Sequence, residues 1–466
     1  MFGLSTGLFL LLVFCLLLAC FFEFINGFHD TANAVATVIY TNTLKPTVAV
    51  VWSGMWNFIG VFIGGIAVAM GIVNLLPVEL LVDQSLAHGL SMVFALLLSA
   101  IIWNFGTWFV GLPASSSHSL IGSIIGIGLA YNFIPNTEGA AVNWGKAQEI
   151  GISLLLSPLF GFAFAICIMY IFKRIVKNEY MYKEPIPGKV PPTWVRGILI
   201  TTCSLVSLGH GSNDGQKGVG LMMLILIGIL PAEFALRSDY DIVKTYNDAA
   251  YIKSIVINSD ASKLNSTEHK LLDGIISNCD SLMFITKGKS DIAEISKPER
   301  FLVRKNVLLI SNFSKKLLDK GNFPVSKNDT DKLIKATTSL RQVTDYAPRW
   351  VIVMISISLG LGTMIGWKRI VKTVGEKIGK QHMSYAQGAS AELVAAVTVG
   401  LSSFKGLPVS TTHVLSSGIA GTMVAKKGLK NLQKSTIRNI LLAWVLTLPV
   451  TMILSGGLFL LFRLLF

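Results

Sequence analysis

Charged side chains are scarce in this sequence. Asp, Glu, Lys and Arg make up 14% of its 466 residues, against 52% hydrophobic residues and a mean hydropathy of +0.61. An ordinary soluble domain carries about 25% charged residues, so a wholly soluble globular protein is excluded. Cysteine is scarce too: there are five, and they form neither a metal-ligand spacing nor a disulfide framework. The formal charge of +14 comes without any basic patch interleaved with aromatics, which excludes a nucleic-acid surface. Instead Lys173, Arg174, Lys177, Lys183, Lys189 and Arg196 fill one short loop, and Lys368, Arg369, Lys372, Lys377 and Lys380 fill another. The positive-inside tendency puts both loops in the cytoplasm.

What is abundant is apolar sequence in runs near the roughly 20 residues that cross a bilayer. They cover 4–24, 47–70, 92–110, 150–172, 194–208, 219–230, 350–365, 389–401 and 437–461. With two further elements described below, the expectation is an all-α polytopic membrane protein of about 10–12 membrane segments. The first run lacks a basic start and leads into polar residues rather than a small-residue cleavage site, so it is expected to be retained. One stretch, 233–348, is polar, with 18 Lys and Arg against 15 Asp and Glu and helical periodicity in FLVRKNVLLISNFSKKLLDK. It reads as a soluble helical insertion, with no phosphate-binding loop, metal site or catalytic triad.

One phrase is written twice. GLPASSSHSLIGSIIG from Gly111 and GLPVSTTHVLSSGIAG from Gly406 agree at eight of sixteen positions without a gap. A weaker pair precedes them: NGFHDTANAVAT from Asn26 and HGSNDGQKGVGL from His210 share three of twelve positions, including a Gly-x-x-Asp core. Each half gives the Gly-x-x-Asp element first and the Gly-Leu-Pro element second. The spacing is 84 residues in the first half and 195 in the second, an excess close to the length of the polar stretch. The layout predicts two inverted repeats with broken helices and re-entrant hairpins, as in secondary transporters. The expected division is 1–172 as the first membrane repeat, 173–196 as a basic loop, 197–232 as the start of the second repeat, 233–348 as the insertion and 349–466 as the remainder.

The residue types suggest chemistry. Gly-Leu-Pro before hydroxyls reads as a turn feeding a new helix, opened by Ser115, Ser116 and Ser117 in one copy and by Ser410, Thr411 and Thr412 in the other. A helix start exposes unpaired N–H groups and the positive end of the dipole, so two such starts suit one tetrahedral oxyanion; capping and helix packing are the plain alternative. Asp30, Asp214 and Glu392 are carboxylates in apolar surroundings, where they mark ion paths or proton relays. They would be protonated, or would hold a cation, when an anion binds. Lys217 is one helical turn beyond Asp214 and suits a salt bridge to it; His29 and His210 are candidate proton acceptors, and Glu23 lies a turn before Asn26.

These four elements, INGFHDTANAVATVIYT, GLPASSSHSLIGSIIGIGL, HGSNDGQKGVGLMML and GLPVSTTHVLSSGIAGTMV, resemble the inorganic phosphate transporter (PiT) family, and most closely its bacterial low-affinity Pit branch. The resemblance implies a symporter of inorganic phosphate in the bacterial inner membrane, not an enzyme. In that branch it implies drive by H⁺ and carriage of phosphate with a divalent metal such as Mg²⁺, Ca²⁺ or Zn²⁺. No tightly bound cofactor is implied, and a homodimer is compatible with it. It carries functional roles to Asp30 and Asn33, to His210, Asn213 and Asp214, and to Glu392, with the six hydroxyls and both Asn residues as phosphate ligands. Asp30, Asp214 and Glu392 are then the candidate metal ligands. Two departures stand out: His29-Asp30 replaces the usual Asn-Asp, and Asn57 stands where Na⁺-coupled relatives often have Glu. The rivals are a sulfate permease of the same fold and a Na⁺-coupled phosphate symporter.

Overall fold

The computed structural model describes residues 5–75, 86–134, 142–186, 188–260, 262, 264–319 and 326–465, without the side chains of residues 31, 33 and 86–88. Among the described residues the protein is all-helical, with no β-strand beyond an isolated bridge between Gly379 and Leu432. It divides into two compact units: a membrane unit of residues 6–77, 87–225 and 347–466, and a second unit built mainly on 226–346.

In the membrane unit the helices are α1 (Thr6–Tyr40), α2 (Pro46–Ile63), α3 (Ala67–Val73), α4 (Leu86–Phe109), α5 (Ser116–Tyr131), α6 (Trp144–Ile175) and α7 (Thr193–His210). A single π turn, Gly211–Gly215, joins α7 to α8 (Gln216–Ile229), which runs on into the second unit. There α9 (Ile242–Ile257), α10 (Ser266–Thr286), α11 (Lys297–Asp319) and α12 (Lys327–Arg341) follow. The chain returns to the membrane unit with α13 (Arg349–Met364), α14 (Lys368–Glu376), α15 (Tyr385–Phe404), α16 (Thr411–Lys427) and α17 (Lys434–Leu465).

Five described helices, α1, α2, α4, α6 and α17, are individually long and apolar enough to cross a bilayer, and α13 with α14 forms a sixth candidate bent by 65°. The other apolar runs are shorter or more polar helices, such as the 16-residue α5 and the 14-residue α8. The core of the membrane unit is apolar, and so are the outward faces of its long helices. On α6 and α17, Leu155, Leu159, Val445 and Ile453 face outward, while Ser157, Gly161, Thr447, Thr451 and Ser455 are turned inward. Apolar surroundings outside and small or hydroxyl residues between helices are what a bilayer selects.

α5 packs on α17, and α16 packs on α6; α15 lies against α7 and α16, and α1 and α2 both lie against α13. α6 and α17 match each other in length, and each holds one internal proline, Pro158 or Pro449. The first Gly-x-x-Asp element does not break its helix, because α1 runs continuously through Gly27 and Asp30. Gly27 is a packing residue: a Cβ there would lie 2.5 Å from the Leu359 carbonyl on α13. Gly211 is placed in the same way, since its Cβ would lie 2.2 Å from the Asn57 carbonyl on α2.

The second unit has its own apolar core, including Ile252, Ile275, Leu282, Val307 and Leu333. Arg304 is buried among these helices, and its Nη1 donates to the carbonyls of Ala235 and Thr344, 3.2 Å each. Burial lowers its guanidinium to about 10, so it stays charged at neutral pH. It therefore ties the chain entering this unit to the chain leaving it. Removing a group that satisfies buried carbonyls costs about 1–3 kcal/mol for each one left unpaired. Arg304→Ala is expected to open the neck of the unit first, read as accelerated amide exchange around Ala235 and Thr344. Unchanged exchange there would contradict this role.

Candidate functional site

The two Gly-Leu-Pro turns have matching geometry. α4 ends into Gly111 at φ +71° and α15 into Gly406 at φ +68°, a left-handed conformation that favours glycine. In both, the following leucine amide closes the helix end: Leu112 donates to the Thr107 carbonyl at 3.0 Å, and Leu407 to the Ser402 carbonyl at 2.9 Å. Proline follows and prevents the helix from resuming at once. Ser115 and Ser410 then cap α5 and α16, each accepting from the backbone N–H of the histidine three residues on, His118 or His413, at 3.2 Å. The capping alternative thus applies to two of the six hydroxyls.

The other four face inward to a buried polar cluster. Thr411 donates to Asp214 Oδ1 at 3.0 Å, and Thr412 donates to Asp30 Oδ1. Ser116 Oγ stands 3.4 Å from one oxygen of each aspartate. Ser117 donates to the Val409 carbonyl at 2.8 Å and accepts from Lys217. The first hydroxyl run therefore meets the second turn, and the two Gly-x-x-Asp elements lie between them. Asp30 is 2% exposed and Asp214 0%.

Lys217 is more than a salt-bridge partner. Its ammonium donates to Asp214 Oδ1 at 2.7 Å, to Ser117 Oγ and to the Val409 carbonyl at 3.1 Å, which uses all three of its protons. It fixes α8, the start of α5 and the second turn to one another. Asn213 belongs to the same clamp: its amide donates to Ser403 Oγ and the Leu407 carbonyl and accepts from the Val409 N–H. Its hydrogen bonds go to the turn rather than to the hydroxyl cluster.

The histidines show what charge the cluster needs. His210 Nδ1 lies 2.9 Å from Asn57 Oδ1. Asn57 Nδ2 donates to Thr363 Oγ1, whose own proton goes to the Leu359 carbonyl, so Asn57 Oδ1 is the acceptor and His210 Nδ1 carries hydrogen. His210 Nε2 then faces Asp30 Oδ2 and Asp214 Oδ2, 3.6 Å from each, with a lone pair unless it too is protonated. His29 repeats the pattern: Nε2 lies 3.3 Å from Thr107 Oγ1, whose proton serves helix carbonyls, and Nδ1 lies 3.4 Å from Asp30 Oδ1. Lone pairs and carboxylate oxygens converge here, and the arrangement calls for protons on the rings or a cation among them. Asp30, His210 and Asp214 can each bring a donor atom within 4.8 Å of the others.

Glu392 is not part of that group. It lies on α15, wholly buried, accepting from Thr202 on α7 at 2.5 Å. The Asn33 side chain lies outside the described residues. The histidines that follow the two hydroxyl runs form a pair that sequence reasoning did not join: His118 and His413 face each other with ring centroids 4.5 Å apart, and His413 stacks on Trp444 at 3.9 Å. Their shared position after the hydroxyl runs was the available signal. Asn57 was noted only as a departure, yet it sets the orientation of His210.

A helical membrane unit with carboxylates, histidines and hydroxyls converging at two helix starts in its interior defines a polytopic transporter for small ions. The sequence profile of the phosphate transporter family matches residues 26–455, and the chain belongs to that family. It is 43% identical over 489 aligned positions to the low-affinity inorganic phosphate transporter PitA of Escherichia coli K12, covering 98% of this chain and 97% of the relative. It is 41% identical over 474 positions to the low-affinity inorganic phosphate transporter of Buchnera aphidicola subsp. Acyrthosiphon pisum, covering 97% and 96%. A solved structure titled "The sodium-dependent phosphate transporter" shares the fold at TM-score 0.53 and 19% identity, covering 98% of this chain and all of the other. The family and these relatives are transporters, and the chain is a membrane transporter rather than an enzyme.

Proposed function

We propose that this protein is a secondary active symporter of inorganic phosphate, coupled to H⁺ and carrying the anion together with a divalent metal. One observation carries the reading: the carboxylates of Asp30 and Asp214 and the unpartnered Nε2 of His210 adjoin the hydroxyls of two helix starts. Alone, the carboxylates would repel phosphate and compete for the same hydroxyl protons. A cation held between them removes both obstacles, and the helix starts with Ser116, Ser117, Thr411 and Thr412 can then take the anion. Two oxygens and an imidazole nitrogen suit Zn²⁺ well; Mg²⁺ and Ca²⁺ prefer all-oxygen sets. Glu392 remains a coupling candidate at a distinct buried position.

Matching turns, the α5–α17 and α6–α16 pairs and the two prolines support two inverted repeats with re-entrant hairpins, split by the insertion within the boundaries given above. Alternating access would then move one half against the other around a fixed site. Purified protein in vesicles, loaded with labelled phosphate and labelled divalent metal under separately imposed H⁺ and Na⁺ gradients, tests the proposal. Accumulation of both labels with the H⁺ gradient is the expected result. Accumulation with Na⁺ alone, or undiminished phosphate uptake in chelator without metal, would overturn the respective half of it.

A further inference from the structure

Glu23 sits two helical turns before Asp30 on α1, fully buried, and it takes no part in the cluster described above. Its Oε1 accepts from Asn26 Nδ2 at 2.9 Å, while its Oε2 and the Asn26 Oδ1 are both buried without a hydrogen-bond partner. Two acceptors left bare on one acid–amide pair are a specific defect, since each unsatisfied buried polar atom is costly. Oε2 is pressed against α8, where a Cβ on Gly218 would lie 2.5 Å from it. The charged and titratable groups within electrostatic reach are Lys217, Asp214 and His210 on the α7–α8 segment and Cys20 on α1 itself. Lys217 has no N–H left to donate to Glu23, because its three protons go to Asp214, Ser117 and the Val409 carbonyl. From α13, Ile355 Cδ1 packs at the same point of Gly218, and Ser358 hydrogen-bonds Cys20 one turn before Glu23.

We infer that Glu23 and Asn26 form a second, proton-carrying site, in which a proton on Oε2 is donated to Asn26 Oδ1 and the acid and amide pair through two hydrogen bonds. A single proton satisfies both bare oxygens and removes the buried charge. Loss of that proton leaves a carboxylate against Gly218, the residue after Lys217, and within its electrostatic reach, so deprotonation favours release of Lys217 from Asp214 and Ser117. The state of Glu23 is thereby coupled to the clamp between α5 and the second turn. This inference rests on the H⁺-symport reading and adds to it the group that carries a transported proton.

Glu23→Gln tests it, because the new amide can donate to Asn26 Oδ1 and mimics a permanently protonated acid. Phosphate exchange between equal concentrations across vesicles is expected to stay within about twofold of wild type, whereas accumulation driven by a pH difference of about one unit should fall about tenfold for the proton no longer carried. The infrared band of a protonated carboxyl should be present in wild type at neutral pH and weaker by one group in the variant. Wild-type accumulation in the variant, identical spectra, or loss of exchange together with accumulation would each overturn the assignment. Failure of the two readings is distinguishable. A wild type that ignores the pH gradient yet shows the band refutes H⁺ symport, and a wild type and variant that respond equally refute the role of Glu23.

Discussion

Asp30→Asn should abolish phosphate accumulation under an imposed H⁺ gradient while leaving the protein folded. The amide keeps the shape of the side chain and one oxygen to accept from Thr412, so the contact between α1 and α16 survives. What it loses is the negative charge that faces His210 Nε2 and His29 Nδ1. Loss of a group that merely orients a cation ligand costs about 10–100-fold in affinity, loss of an anionic ligand itself costs at least as much, and a carrier unable to hold its coupling ion cannot concentrate its substrate. Asp214→Asn should abolish accumulation as well, with an added penalty. Lys217 would be left as a buried cation without its partner, at about 3–5 kcal/mol, so this variant is expected to be less stable in detergent where Asp30→Asn is not. Wild-type accumulation by Asp30→Asn would rule out the carboxylate as a coupling group.

The difference between these aspartates shows where the sequence stopped being informative. Membrane class was legible because hydropathy is a sum over many residues and no single contact can reverse it. The Gly-Leu-Pro turns were legible because a left-handed glycine, a proline and a capping hydroxyl are local requirements that leave local signatures. Beyond that, neighbours on a helix point about 100° apart, and nothing in SSS or STT says which hydroxyl caps and which faces inward. The answer depends on partners far along the chain: Thr412 meets Asp30 and Ser117 meets Val409. The partners of Asn213 were illegible for the same reason, since the turn it clamps lies almost 200 residues away. The interruption expected at both Gly-x-x-Asp elements failed at the first, because a glycine needed for close approach and one needed for a bend look alike in sequence. Gly27 admits the α13 backbone without disturbing α1, while the second element winds into a π turn.

The same distinction between capping and facing hydroxyls gives the second large effect. Ser116→Ala combined with Thr412→Val removes two donors that stand at the carboxylates and that, in the proposed cycle, pass to phosphate once a cation occupies the cluster. Hydrogen bonds to charged groups contribute about 1.5–3 kcal/mol each, and each 1.4 kcal/mol is about tenfold in affinity. The double variant should therefore bind phosphate about 100-fold more weakly, or worse. Its helices should start normally, since Ser115 and Ser410 still cap them. Ser115→Ala and Ser410→Ala should show the reverse: a loss of about 1 kcal/mol in stability per cap with a smaller change in phosphate affinity. Isothermal titration with phosphate in the presence of the divalent metal, alongside thermal unfolding of all the variants, separates the two roles. If the capping variants lost affinity as steeply as the facing ones, the anion would sit at the backbone ends of α5 and α16 rather than among the inward hydroxyls. If the facing variants kept wild-type affinity, the hydroxyls would serve only to hold the aspartates.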